Sequence, residues 1–175
     1  VDQTFFKFGF FNLTHSKKNA MDDLQFRKAT AKDIIPMAQI RDCEWGTEDY
    51  WIKRIGGYMR AEHHPQHALM SRIIFIAEDK EKIIGFIAGH LTTRLGCTGE
   101  LEWINVIPEY RKNAVASQLL HLLAQWFVEQ NAVKVCIDVA AENIPAQTFY
   151  RKHGAKNLNE HWLYWEDVSM IMNSE

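Results

Sequence analysis

Residues 101–130 read LEWINVIPEYRKNAVASQLLHLLAQWFVEQ, and the order of their parts decides the architecture. An apolar run with strand character, residues 101–107, meets Pro108. A polar stretch, 109–113, carries Arg111 and Lys112. A helical run follows over 114–130, with Val115, Leu119, Leu122, Leu123, Trp126 and Phe127 spaced for a buried stripe. A strand that feeds a short basic turn into a helix N-terminus is an anion site. The leading N–H groups of the helix have no acceptor within it, and the aligned peptide dipoles strengthen their pull on a phosphate. The expected tenant is a cofactor with a pyrophosphate.

Outward from this segment the pattern alternates strands and helices. Residues 24–28 read as a strand. Thr30 and Asp33 resemble an N-cap pair ahead of a stripe at Ile34, Met37 and Ile40. Thr47 suits the cap of a second helix with an apolar face at Tyr50, Trp51, Ile55 and Tyr58. Residues 72–78 and 82–91 are strands joined by a charged turn, and Gly96 and Gly99 bracket another turn. The β-branched run 133–139 is a strand. Residues 144–153 form a short helix stopped at Gly154, a natural C′ position. The tail, 162–165 and 168–172, has strand character. No repeat, linker or low-complexity tract interrupts the pattern, which is that of one α/β layered unit over residues 21–175. Residues 1–20 read as an extension upstream of it, the alternative being an added strand or arm.

Size and charge narrow the function. The chain has 175 residues, of which 47% are apolar, and a formal net charge of −2. Whole-chain charge therefore gives no argument for nucleic acid. No apolar run approaches the ~20 residues of a membrane-spanning helix, so no membrane partner is expected. Cys43, Cys97 and Cys136 are odd in number and far apart, which fits reduced thiols and a cytoplasmic setting rather than a disulfide framework. Cys136 falls inside a strand of buried type and reads as core. His63, His64 and His67 lie around Pro65 without a cysteine to complete a ligand set, so they read as a surface loop and no metal is expected.

The segment quoted above resembles the Gcn5-related N-acetyltransferase (GNAT) family, and the resemblance extends over about residues 25–167. The family's coenzyme loop has the form Q/R-x-x-G-x-G/A; here it is Arg111-Lys112-Asn113-Ala114-Val115-Ala116, with Ala114 in place of the first glycine. The preceding VIPEYR matches the family's passage from strand to loop. Asn143, Ala146, Phe149, Tyr150 and Gly154 fit its N-x-x-A-x-x-x-Y-x-x-x-G pattern. The resemblance implies a GNAT acyl-CoA fold, a mixed central sheet with helices on both faces, and acetyl-CoA as co-substrate. It implies that residues 111–116 hold the pyrophosphate, that Ile104 and Val106 flank the pantetheine arm with Val106 offering backbone groups, and that this strand splays from 133–139 to admit the arm. Phe149 and Asn143 join the cofactor contacts, Asn143 also reading as a helix cap. Tyr150 is implied as the acid beside the coenzyme sulfur. Ala114 is expected in a helical conformation, where it would cost only some closeness of approach.

Glu100 and Glu102 share a strand face by alternation, joined by Ile104 and Val106 unless a bulge intervenes. A carboxylate there can take the proton that an ammonium must lose before attacking a thioester. Glu100 matches the position where relatives keep a base; Glu102 lies nearer the cleft. The acceptor is expected to be a small-molecule amine or a peptide amine, with a homodimer left open. Glu44, Trp45, Glu48, Asp49 and Trp51, with Trp162, Tyr164, Trp165, Glu166 and Asp167, would make an acidic, aromatic wall for a cationic amine. The expected activity is direct acetyl transfer from acetyl-CoA to a primary amine in a ternary complex. The alternative is a non-catalytic acetyl-CoA sensor with a degenerate loop.

Overall fold

The computed structural model describes residues 24–173, so the extension expected at 1–20 lies outside the described residues. The chain enters as β1 (Leu24–Lys28), forms α1 (Ile34–Asp42) and α2 (Glu48–Met59), and returns through β2 (Ala68–Asp79), β3 (Lys82–Thr92) and β4 (Gly99–Val106). Then come α3 (Val115–Glu129), β5 (Val135–Asp138), α4 (Ile144–Lys152), β6 (Lys156–Asn157) and β7 (Trp162–Trp165). One sheet holds all these strands in the order β1-β2-β3-β4-β5-β7-β6. Every neighbouring pair is antiparallel except β4–β5. Among the described residues no helix is long and apolar enough to cross a membrane.

Helices cover both faces. On one, Met37 and Ala38 of α1 and Trp51, Ile55 and Tyr58 of α2 pack on Ile74, Ile76, Phe86 and Trp103. On the other, Val115, Leu119, Leu123 and Phe127 of α3 pack on Leu101, Ile87 and Trp165. The helix starts follow their sequence signals. Thr47 Oγ1 accepts from Tyr50 N–H at 3.2 Å, and Asp33 accepts from Thr30 N–H at 2.6 Å while Arg27 clamps its carboxylate. Tyr50 itself is exposed, while Trp51, Ile55 and Tyr58 are buried. Gly154 has φ +87°, the left-handed conformation a C′ glycine provides.

The tail departs from its strand-like alternation: Val168–Asn173 is a 3-10 helix. Val168, Met170 and Met172 alternate in sequence, but burial selects Val168 and Ile171, three apart, and leaves Met170 and Met172 exposed. A 3-10 turn stacks residues i and i+3 on one face, which seats this pair on the core against α3.

The decisive irregularity is in β4. Trp103 pairs with Ala88 and Leu101 with Gly89, so Glu102 is an extra residue without a partner on β3. A bulge of this kind sharpens the local twist and shifts the facing of side chains. Leu101 packs toward α3, yet Trp103 packs toward α1 and α2. Ile104 and Val106 return to the α3 side. The expectation that they share a face with Glu100 and Glu102 is thereby corrected. Bent by the bulge, β4 pairs with β5 only at Gly99↔Val135 and Glu100↔Cys136. The two strands part beyond that point, as the family resemblance implied.

At the start of β4 the packing leaves no room for a side chain. A Cβ on Gly99 would lie 2.5 Å from Phe127 Cε1 of α3 and 3.0 Å from Val135 Cγ2. Gly99→Ala is therefore expected to lower stability by about 1–3 kcal/mol through overpacking, read as a lower midpoint in thermal or urea denaturation.

Candidate active site

Three compartments run in series along the gap between β4 and β5. The first, about 360 Å³, is a cradle formed by Tyr110–Ser117 residues and the end of α4, including Arg111, Lys112, Ala114, Val115, Ala116, Lys152 and His153. The second, about 480 Å³, is a slot lined by Ile104 and Val106 of β4, Ile137–Ala140 and, from α4 and its cap, Asn143, Phe149 and Tyr150. The third, about 820 Å³, lies on the α1–α2 side and includes Arg41, Arg54, Arg94, Glu100, Glu102, Asp138 and Trp162. Val106, Arg111, Ala116 and Phe149 are common to cradle and slot. Arg41, Glu102, Trp103, Asp138 and Ala140 are common to the slot and the third compartment.

The cradle has the chemistry of a phosphate site. No carboxylate lines it, whereas Arg111, Lys112 and Lys152 do. Helix α3 has no side-chain cap, so the N–H groups of Val115, Ala116 and Ser117 have no intrahelical acceptor and stay available to an anion. Asn113 is exposed and stands outside the cradle's lining. Lys112 and Ala114 both adopt left-handed backbone, at φ 65° and 58°. The helical conformation expected for Ala114 is thus corrected. The family's glycine matches a position whose φ is positive, and alanine holds it at a cost of about 1–2 kcal/mol.

In the slot, backbone groups replace side chains as the polar element. Ile107 N–H donates to Ile84 O on β3 at 2.9 Å. Strand alternation then turns the N–H and C=O of Val106 and Ile104 the other way, into the gap left by β5. Arg111 spans this gap, donating from Nε to Val106 O at 2.9 Å and approaching Glu44 with Nη2 at 3.5 Å. Asn143 caps α4, its Oδ1 accepting from Ala146 N–H at 3.2 Å, and still lines the slot. Phe149 forms the wall between cradle and slot. Tyr150 is 3% exposed, packed edge-on against Trp165 and Phe149. Its hydroxyl has no hydrogen-bond partner among the described residues, and burial pushes its pKa up, so the O–H stays protonated.

The glutamates differ in their commitments. Glu100 Oε2 accepts from Arg94 Nε at 3.0 Å and Thr92 Oγ1 at 3.2 Å, and faces His90 Nε2 at 3.5 Å. Among the described residues Glu102 has one loose polar contact, to Arg54 Nη2 at 3.5 Å. Burial, first, and the neighbouring Glu100 raise its pKa, against the opposing pull of His90 and Arg54. His90 itself is buried, with Nδ1 3.2 Å from the Tyr58 hydroxyl and Nε2 lacking a hydrogen bond. Donor atoms of His90, Glu100 and Glu102 lie within 4.8 Å of one another, and the guanidiniums of Arg94 and Arg54 face the two carboxylates.

The acidic, aromatic wall does not form as expected. Trp51 and Trp165 are buried in opposite cores, and Glu48, Asp49, Glu166 and Asp167 stand outside the lining of the third compartment. Trp162 is present, and Glu44 lines the slot instead. The acidic groups of that compartment are instead Glu100, Glu102, Asp138 and Glu142, and the fold sets Arg41, Arg54 and Arg94 among them. The spacing did carry a signal. Arg41 is four residues after buried Met37, and Arg54 falls three after Trp51 and four before Tyr58, so both lie on stripes that face the sheet.

The architecture agrees with what is known of related chains. The model of the acetyltransferase (GNAT) family matches residues 36–155, more than half of the chain. The chain belongs to the GNAT family. Its sheet and flanking helices are the GNAT acyl-CoA fold, and membership supports acetyl-CoA-dependent acyl transfer in general terms. No protein of curated function matches the sequence. Among solved structures, a protein of the GNAT family from Desulfovibrio desulfuricans superposes with a TM-score of 0.68 at 13% identity, covering 83% of this chain and 99% of that one. A PaiA N-acetyltransferase from Thermoplasma acidophilum, in complex with coenzyme A, gives 0.58 at 15% identity over 81% and 96%. A spermidine N-acetyltransferase, SpeG, from Vibrio cholerae gives 0.63 at 17% identity over 88% and 99%. At such identities these likenesses show the GNAT fold alone.

The strain at Ala114 is testable. Ala114→Gly removes the left-handed penalty and adds about 0.5–1 kcal/mol of unfolded-state entropy. The expected result is unchanged or slightly raised thermal stability, with coenzyme A binding at least as tightly by calorimetry.

Proposed function

We propose that the protein transfers the acetyl group of acetyl-CoA to a primary amine by direct attack within a ternary complex. The observation that carries this reading is the continuity of the three compartments: a phosphate cradle, a slot edged by strand backbone that β5 leaves unpaired, and a separate chamber that meets the slot at Glu102. An extended amide-bearing arm in the slot takes the place of the missing β5 partner and hydrogen-bonds Ile104 and Val106. Arg111 and Lys112, with the amides of Val115–Ser117, hold the pyrophosphate at the other end. Acetyl-CoA supplies an activated thioester carbonyl, whose C–S bond breaks as the amine forms the new C–N bond.

Proton traffic falls to two residues. Glu102 stands where chamber and slot meet and has the freer carboxylate, so it takes a proton from the incoming ammonium, directly or through water. Glu100, whose Oε2 is held by Arg94 and Thr92, fits the part of fixing charge behind Glu102. Tyr150, kept protonated by burial, donates from its hydroxyl to the departing sulfur and is reprotonated, directly or through water, by the second proton that the nitrogen sheds as it becomes an amide. The primary test is release of free coenzyme A thiol, and of acetylated product by mass, across an amine panel. Turnover with at least one primary amine supports the proposal. Coenzyme A binding without turnover of any amine would instead favour the sensor reading, and no coenzyme A binding at all would defeat both.

Two variants assign the roles. Tyr150→Phe keeps the ring contacts and removes the donor, so kcat is expected to fall about 10- to 100-fold with little change in coenzyme A affinity. An unchanged kcat would leave Tyr150 as packing only. Glu102→Gln should lower the rate near neutral pH and recover in part at high pH, where free amine is abundant. The parent's acidic limb should lie above the ordinary carboxylate range, because burial raises the Glu102 pKa.

Stability gives an independent reading of the same group. A raised folded-state pKa means that the native protein binds this proton more tightly than the unfolded chain. That contribution is fully present below the unfolded pKa and is lost as pH rises through the folded one. Glu102→Gln is thus expected to be more stable than the parent at neutral pH, with the advantage shrinking in acid; chemical denaturation at several pH values measures it.

A further inference from the structure

Three guanidiniums, Arg41, Arg54 and Arg94, and four carboxylates, Glu100, Glu102, Asp138 and Glu142, line the third compartment, and they are unevenly paired. Arg94 is satisfied, by Glu100 at 3.0 Å and by Gln66 O at 2.7 Å. Arg41 and Arg54 are not. Arg41 donates from Nη1 to Asn105 Oδ1 at 3.0 Å and is 3.7 Å from Glu44, but its buried Nε has no partner. Its guanidinium lies 4.1 Å from the centre of the Trp51 ring, and burial lowers its pKa. Among the described residues Arg54 has one polar contact, Glu102 at 3.5 Å, and its guanidinium lies 5.8 Å from the centre of the Trp103 ring. On the opposite side, Asp138 at the end of β5 and Glu142 beyond it line the same compartment, with no side-chain hydrogen bond or ion pair among the described residues.

We infer that the acceptor is a small amine that carries a carboxylate, of the amino-acid type, held with its carboxylate between Arg41 and Arg54 and its ammonium toward Asp138 and Glu102. The inference rests on the acetyl-transfer reading for the identity of the amine as nucleophile. The reaction itself asks for such a group. When Glu102 accepts a proton from the ammonium it becomes neutral, and Arg54 loses the one counter-ion it has among the described residues. A substrate carboxylate supplies that counter-charge through the same step. Guanidinium forks suit a planar carboxylate, which accepts two parallel N–H bonds. A purely cationic polyamine would instead bring further positive charge against Arg41 and Arg54.

Calorimetry on the protein, both free and loaded with coenzyme A, tests this without requiring turnover. The ligands are L-amino acids, their carboxamides and the matching alkylamines, with short acidic peptides as a separate arm. At least one amino acid is expected to bind ten-fold or more tightly than its carboxamide and its alkylamine. Arg54→Gln should erase that difference, and Arg54→Lys should keep part of it; Arg41→Lys should also reduce it. Turnover, where seen, should show the same preference in KM. Equal binding of carboxylate and carboxamide, binding of acidic peptides alone, or no binding by any amine of the panel overturns the inference. Coenzyme A binding and turnover of a neutral amine in that event would leave the acetyltransferase reading standing, so the two failures are distinguishable.

Discussion

The parallel ladder between β4 and β5 is held to two residue pairs, and the site depends on what those strands leave unmade. Glu102 enters β4 as an extra residue, and the added twist carries the strand away from β5. Meanwhile β5 is tied along its other edge to β7, from Val135↔Trp165 to Asp138↔Trp162, and cannot follow. Backbone groups at Ile104 and Val106 are then left facing a gap inside an otherwise well-paired sheet. Unpaired backbone in such a place costs about 1–3 kcal/mol for each group that finds neither water nor ligand. A ligand with amides of its own meets that need, which is why we propose this deficit in the sheet as the seat of the coenzyme arm.

The same bulge also sorts the side chains. Without it, alternation would place Glu102 with Ile104 and Val106 and bury a carboxylate on the cofactor side. With it, Glu100, Glu102 and Trp103 turn toward α1 and α2, while Ile104 and Val106 line the slot beside Phe149 and Tyr150. One inserted residue therefore separates the chamber on the α1–α2 side from the slot on the α3 side. It also places Glu102 at the point where they meet.

Much of this was legible in the sequence. The strand–turn–helix of residues 101–130, the helix at 144–153 and the capping residues Thr47 and Asn143 are local signals, and the structure follows them. What was hidden depends on pairing between distant segments. The bulge at Glu102 shows only against the register of β3. The left-handed φ of Ala114 was marked by the family's glycine, yet the residue itself gives no hint of it. The tail alternates like a strand, but docking on α3 selects a three-residue spacing and a 3-10 turn. The acceptor side was misjudged because composition near α1 and α2 is acidic and aromatic, whereas helical facing sends Arg41 and Arg54 inward and leaves Trp45 outside.

The central claim is that the gap beside β4 and the N-terminus of α3 act together as one coenzyme site. Backbone amide NMR during titration with coenzyme A tests it most directly. The account predicts large, saturable shifts at Ile104 and Val106 and at Val115, Ala116 and Ser117, moving with a single dissociation constant. Shifts confined to other surfaces, or changes at the α3 amides with none along β4, would contradict it.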